Sequence, residues 1–288
     1  MQPIALSILG AQKAATTALF EMLRQHPGLF MPAAKEDNFF ANDESYAKGE
    51  THLALAYAGA APGQLLGHAY VNLLYYARAA APRMHAHNPG MKLVALLRDP
   101  IDRAYSAYWY ARMRGWESAA TFEEALENET CGRISPQFAH QGILTYQAHG
   151  HYAEQLQVFF DTFGREAVQV YFQDDLKTDP QAVCSAIFAA LGLPDHPVRP
   201  VTANEAAKAR FPAVSAAIVN DSPIKTLYKK LVPYPVRFRI SRGLMQRVQA
   251  MNREPARYPP MTAETRARLA AYYEPHNRKL HDLLGRSF

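Results

Sequence analysis

Five consecutive apolar residues, Leu93-Val94-Ala95-Leu96-Leu97, run straight into Arg98-Asp99-Pro100. A strand without polar alternation is covered on both faces, the environment of a parallel sheet lying between layers of helices. Asp99 is a good N-cap, Pro100 suits the first helical position and Asp102 sets a carboxylate in the first turn, so a helix follows at once. Arg98 thus stands at the carboxyl end of a strand, where open α/β sheets bind their ligands. Its planar fork suits a phosphate, and Ser106, two helical turns on, would add a hydroxyl to the same oxygens. The alternative is an Arg98–Asp102 ion pair with Ser106 on the surface.

The same strand, turn and helix open the chain. Leu6-Ser7-Ile8-Leu9-Gly10 leads through Ala11-Gln12-Lys13-Ala14-Ala15 into Thr16-Thr17-Ala18-Leu19. Unpaired N–H groups at a helix N-terminus, together with the helix dipole, form a cradle for anions. Thr16 and Thr17 add hydroxyls and Lys13 adds a mobile positive charge. A Walker A loop needs Gly-x-x-x-x-Gly-Lys followed by Ser or Thr; here the lysine sits inside the turn, three residues before the first threonine.

Periodicity supplies the rest of the plan. Strands are expected at Ile4–Leu9, Gln64–Ala69, Lys92–Leu97 and Ala167–Phe172, separated by helices near 17–26, 71–80, 100–113 and 151–163, with further helices near 180–191 and 262–284. That alternation implies an α/β fold, a P-loop-like parallel sheet flanked by helices. With 288 residues, 49% of them hydrophobic, the chain can bury a large core without staples. No linker-like or low-complexity stretch divides it, so a single domain over 1–288 is expected.

Taken together, the two turns resemble the PAPS-dependent sulfotransferases, which move a sulfuryl group from 3′-phosphoadenosine 5′-phosphosulfate (PAPS) and leave PAP. The stretch Gln12-Lys13-Ala14-Ala15-Thr16-Thr17 is similar to that family's 5′-phosphosulfate loop, usually Lys-x-Gly-Thr-Thr. Ala15 replaces the glycine, and an alanine there is expected to keep out of a strongly left-handed conformation. Arg98 and Ser106 match the pair that holds the 3′-phosphate. His26-Pro27 and Lys35-Glu36-Asp37-Asn38-Phe39-Phe40 resemble the heparan-type carbohydrate and bacterial branch, whose glutamate in a Lys-Glu-x-x-Phe-Phe segment is the expected catalytic base; Asn38 stands where that branch often has histidine. The likeness continues through Gly150-His151-Tyr152, Phe163-Gly164 and Leu191-Gly192-Leu193-Pro194 to the closing helix.

The resemblance implies a cofactor site of Lys13, Ala14, Ala15, Thr16, Thr17, Arg98 and Ser106, with Arg210 closing over the 3′-phosphate. It implies Lys13 at the leaving phosphate and Glu36 as general base; partial burial, which Phe39 and Phe40 would provide, is expected to raise the Glu36 pKa. The plainer reading of Glu36 is a surface ion pair with Lys35. His68 is the reserve base and a candidate lining of the acceptor pocket; Tyr70, Tyr75, Tyr76 and Tyr146 would make either an aromatic acceptor wall or ordinary core. No metal is expected, because arginine rather than a magnesium-binding carboxylate follows the strand ending at Leu97.

Charge is concentrated late in the chain. Between Lys208 and Arg257 stand eleven basic residues against Asp221 and Glu254, in a chain whose net charge is +5. Prolines 212, 223, 233, 235 and 255 interrupt this stretch, and 200–260 reads as a basic cover over the cleft. It would hold the anionic cofactor, receive an acidic glycan or carrier protein, or be a solvated basic face. Nucleic-acid binding is disfavoured, since no helix-turn-helix or interleaved aromatics accompany the charge; membrane-surface attachment through Leu231 to Ile240 rests on a short segment.

No apolar segment approaches the ~18 residues of a membrane span, and the first strand begins almost at once, without a leader pattern or the anchor of Golgi members. Cys131 and Cys184 make neither a metal spacing nor a disulfide framework. A cytoplasmic, reduced protein is expected. The acceptor (small molecule, sugar hydroxyl, amino sugar, lipid or carrier-bound group) is open. A P-loop nucleotide kinase or ATPase would need a Walker A lysine and a metal-binding aspartate, neither of which occurs; a non-catalytic nucleotide-binding module is the remaining alternative.

Overall fold

A computed structural model of the chain describes residues 2–33, 35–134, 142–201, 207–209, 253–255 and 258–288. Two compact units are distinguished: one of Met1–Ala104, Gln147–Ala203 and Ala263–Phe288, the other of Tyr105–Tyr146 and Asn204–Thr262.

The first unit is built on five strands: β1 (Ile4–Gly10), β2 (Leu29–Phe30), β3 (Leu65–Ala69), β4 (Lys92–Leu97) and β5 (Val168–Phe172). They lie in the order β2-β3-β1-β4-β5, and every pair is parallel. Leu93 to Leu97 are all fully buried, as the unbroken apolar run requires. The chain runs from β1 out to β2, back to β3, then crosses to the far side of β1 to lay down β4. The crevice between the carboxyl ends of β1 and β4 is therefore the topological switch point, where sheets of this kind bind ligands.

The helices in chain order are α1 (Thr16–Leu23), α2 (Asp43–Tyr46), α3 (Gly49–Ala56), α4 (Ala77–His87), α5 (Pro100–Arg114), α6 (Phe122–Thr130, in the second unit), α7 (Tyr152–Phe163), α8 (Gln173–Thr178), α9 (Pro180–Ala190) and α10 (Ala263–Leu284). α7 packs against both α4 and α10. The helix expected near 71–80 instead begins at Ala77 and continues through Pro82. Residues 70–76 are withheld from helix because Tyr70 N donates to Ile8 O and Leu74 N to Leu9 O, at 3.3 and 3.0 Å, so the end of β1 takes the bonds a helix would have used.

The second unit carries α6 (Phe122–Thr130), started by Thr121, whose Oγ1 accepts from Glu124 N, while Glu124 accepts from Ala120 N. Thr121 thereby satisfies one amide the first turn would otherwise orphan, and Glu124 ties down the residue before the cap. Tyr108, Phe122 and Tyr146 form its aromatic core. Tyr146 is completely buried with its hydroxyl donating to Glu117, and burial pushes that hydroxyl's pKa far up; it is core, not an acceptor wall. Strands β6 (Ala207–Ala209) and β7 (Arg253–Pro255) pair antiparallel. Arg210 and nearly all of the basic 200–260 stretch lie outside the described residues. Among the described residues no helix is long and apolar enough to cross a membrane.

Candidate active site at the β1 and β4 turns

The turn after β1 is shaped by three residues in the left-handed half of backbone space. Gly10 has φ +130°, and a Cβ there would lie 2.5 Å from the carbonyl oxygen of Val71. Lys13 and Ala15 follow at φ 66° and 64°. The expectation that alanine would exclude the left-handed conformation is thus overturned: Ala15 adopts it as the N-cap of α1. That conformation costs an alanine about 1–2 kcal/mol. It persists because α1 buries Ala18, Leu19, Phe20, Met22 and Leu23 in the core, which outweighs the local strain. The amides of Ala15, Thr16 and Thr17 have no backbone acceptor among the described residues, as expected of the first turn of a helix. Thr16 is buried and Thr17 half-buried.

Two bonds join this turn to the end of β4 and the turn after it. Ala11 N donates to Leu96 O at 2.7 Å, and Arg98 Nη1 donates to Lys13 O at 3.2 Å. Residues 85 positions apart thus meet at one spot. Asp99 caps α5, its Oδ1 accepting from Asp102 N at 2.8 Å. Asp102 pairs with Arg266 at 2.6 Å, so the Arg98–Asp102 alternative is not formed. Tyr152, whose hydroxyl burial pushes up to about 12, donates to Arg98 O at 2.9 Å and steadies the turn from behind. Ser106 lies partly buried on α5, in the second unit.

Glu36 reaches the same place by another route. Its Oε2 accepts from Val71 N at 3.1 Å, and the carbonyl of that same Val71 faces Gly10. Its Oε1 pairs with Lys35. The Glu36 side chain is 47% exposed, and Phe39 and Phe40, expected to shield it, are buried in the core, Phe39 stacked on His52 and Phe40 edge-on to His68. Asn38 accepts from Ser45 Oγ at 2.9 Å.

His68 is corrected from reserve base to structural group. It is 1% exposed, and burial lowers its pKa. Nε2 donates to Asp37 O at 2.9 Å, since a carbonyl only accepts, which leaves Nδ1 to accept from Ser7 Oγ at 3.0 Å. Tyr70 lies partly buried near Glu36, and Tyr76 lies partly buried near Tyr70 and Tyr75; burial pushes both hydroxyls up, that of Tyr70 to about 12. Tyr75 stacks on buried His149 at 4.1 Å.

Sequence reasoning missed Arg103, Val71 and His52. Arg103 is completely buried, its Nη1 3.5 Å from Gln12 Oε1, so a guanidinium backs the first turn. Its signal was its place one helical turn after the Asp99 cap, on the face of α5 that meets the sheet. Val71 and His52 had none, because backbone contacts and pairs 15 residues apart carry no local pattern.

With this geometry in view, the chain's relatives can be set beside it. A family profile described as "Sulfotransferase domain" matches residues 3–208. The chain belongs to the sulfotransferase family. It is 27% identical over 97% of its length to the mouse bifunctional heparan sulfate N-deacetylase/N-sulfotransferase 4, of which it covers 30%. It is 28% identical over 65% of its length to the mouse heparan sulfate glucosamine 3-O-sulfotransferase 5, covering 53%. The chain thus spans about a third of the first of these relatives and about half of the second. Its fold is that of the sulfotransferase from Alicyclobacillus acidocaldarius, at TM-score 0.71 and 24% identity, with 100% of this chain and 98% of that one covered.

Proposed function

We propose that the chain transfers a sulfuryl group from PAPS to a hydroxyl or amine of a glycan acceptor. The observation that carries this reading is the Arg98–Lys13 contact: it gathers a guanidinium, a lysine and the orphan amides of a helix start at one switch point. Such a set suits a nucleotide with phosphates at both ends. Lys13, Ala14, Ala15, Thr16 and Thr17 would hold the 5′-phosphosulfate; Arg98 and Ser106 would hold the 3′-phosphate, with Arg210 a further candidate there. Bound PAPS supplies the activated sulfuryl group. Lys13 neutralises charge growing on the oxygen that bridges sulfur and phosphorus, and the threonines and amides keep that phosphate in line. Glu36 takes the proton from the attacking acceptor, its half-exposed carboxylate being open to a substrate and aimed by Val71 N. The glycan acceptor is suggested by the relatives' names, and Tyr70, Tyr75 and Tyr76 offer rings for sugar faces.

The test is a thermal-shift series with PAP, ATP and GTP. PAP at a hundred times its Kd stabilises by about 2.7 kcal/mol, a rise in Tm of roughly 5 °C, while GTP gives little. A larger shift with ATP or GTP would favour a kinase or ATPase. In the Arg98→Ala variant, calorimetry should find PAP binding weakened by roughly a hundredfold, with adenosine 5′-phosphosulfate, which lacks the 3′-phosphate, much less affected. Equal losses would contradict the role given to Arg98. Labelled sulfuryl transfer to N-desulfated heparan sulfate, compared with phenolic and lipid acceptors, tests the acceptor class. In that assay Glu36→Gln should lower kcat by about 10²–10⁴-fold and leave PAP affinity unchanged.

A further inference from the structure

Glu36 is half-exposed, yet the residue beside it is anchored on every side. Asp37 N donates to Ala69 O at 3.1 Å, and Asp37 O accepts from His68 Nε2 at 2.9 Å. The Asp37 carboxylate, 4% exposed, accepts from Phe39 N at 3.1 Å and meets His52 Nε2 at 2.8 and 3.0 Å. His52 is equally buried and stacks on Phe39 at 5.0 Å. It is delivered by α3, a helix that sinks only His52 and Leu53 into the interior.

Stability does not account for this arrangement. A buried carboxylate–imidazole pair carries a desolvation penalty, and apolar residues of similar volume often serve a core as well or better. What such a pair does supply is orientation. With its amide, carbonyl and side chain all tied, Asp37 cannot rotate, and the direction in which Glu36 leaves the backbone is set. That direction carries Glu36 Oε2 to Val71 N, one peptide unit from the Gly10 turn.

We propose that His52, acting through Asp37, is a positioning residue for the Glu36 carboxylate. The inference rests on Glu36 being the general base. His52 touches no reacting atom; it holds the neighbouring residue while His68 and Ala69 hold the backbone. Displacement of a catalytic group by about 1 Å lowers turnover as much as a hundredfold without weakening cofactor binding, and that is the effect expected when the pair is broken.

The experiment compares His52→Leu, which cannot donate to Asp37, with His52→Gln, which can. Release of PAP from PAPS is followed with N-desulfated heparan sulfate as acceptor and, separately, with water alone. His52→Leu should lower kcat by about ten- to a hundredfold with KM for PAPS unchanged, and His52→Gln should recover most of the loss. Asp37→Ala breaks the same pair from the other side, at the carboxylate that His52 meets; it keeps the test decisive should His52→Leu fail to fold, and the same kcat loss is expected from it. Placed in a Glu36→Gln background, each change should lower kcat no further, because there is no longer a base to aim. Losses that add in that background, or that fall on KM for PAPS, overturn the inference and leave a purely structural pair. Wild-type turnover in His52→Leu and Asp37→Ala beside a slow Glu36→Gln overturns this inference alone. A Glu36→Gln protein that turns over at the wild-type rate removes the base itself, and the positioning role with it.

Discussion

Lys13→Ala lowers kcat by about 10²–10³-fold, the loss expected when one preorganised partner of a developing negative charge is deleted. Turnover is measured as labelled sulfuryl transfer and PAP binding by calorimetry. Binding should weaken far less than the rate, because the charge Lys13 meets grows only as the sulfur–oxygen bond breaks. The backbone of the turn should survive the change. Lys13 is already left-handed at φ 66°, which alanine tolerates about as well, and its carbonyl rather than its side chain receives Arg98. A variant that binds PAP much more weakly but keeps its kcat would make Lys13 a binding residue and no more.

Gly10→Ala has the largest expected effect on stability. The residue sits at φ +130°, which side-chain-bearing residues rarely adopt, and the new Cβ would lie 2.5 Å from Val71 O and 3.3 Å from Val71 C. Both neighbours are backbone, so no rotamer change relieves the contact. Combined strain and clash amount to about 3 kcal/mol or more. In urea unfolding the midpoint should fall with the slope unchanged. Gly63→Ala is the control: it too has positive φ, at +84°, but nothing stands within 4 Å of its Cβ, so it should lose only about 1 kcal/mol. Equal losses at the two positions would show that the approach of Val71 carries no weight. The same approach links the β1 turn to Glu36, since the Val71 amide holds the carboxylate while its carbonyl faces Gly10. Gly10→Ala should therefore also slow turnover in whatever fraction remains folded.

Some elements were legible because their chemistry is local. The unbroken apolar run of β4 demanded burial on both faces, and Asp99-Pro100 with Asp102 demanded a helix immediately after it. The β1 turn was legible from Gly10 and the two threonines. Ala15 was misread because propensity was weighed without the core that α1 buries, and that burial decides the backbone of its N-cap. The helix near 71–80 was misplaced for a related reason: amides with ordinary helical potential were taken by the carbonyls of Ile8 and Leu9 on β1. Glu36 was found by motif, but its surroundings were not. Phe39 and Phe40 stand near it in the chain and turn away from it in space.

From its residue order alone this chain determined a parallel sheet with a strand-turn-helix unit at each of two places, because strands, caps and orphan amides answer to neighbours a few positions away. Only the tertiary structure decided that Arg98 lies against Lys13, that Val71 joins Glu36 to Gly10, and that His52 closes on Asp37. Those pairings join residues from 15 to 85 positions apart, and their geometry is set by how strands order themselves across the sheet, which no local pattern encodes.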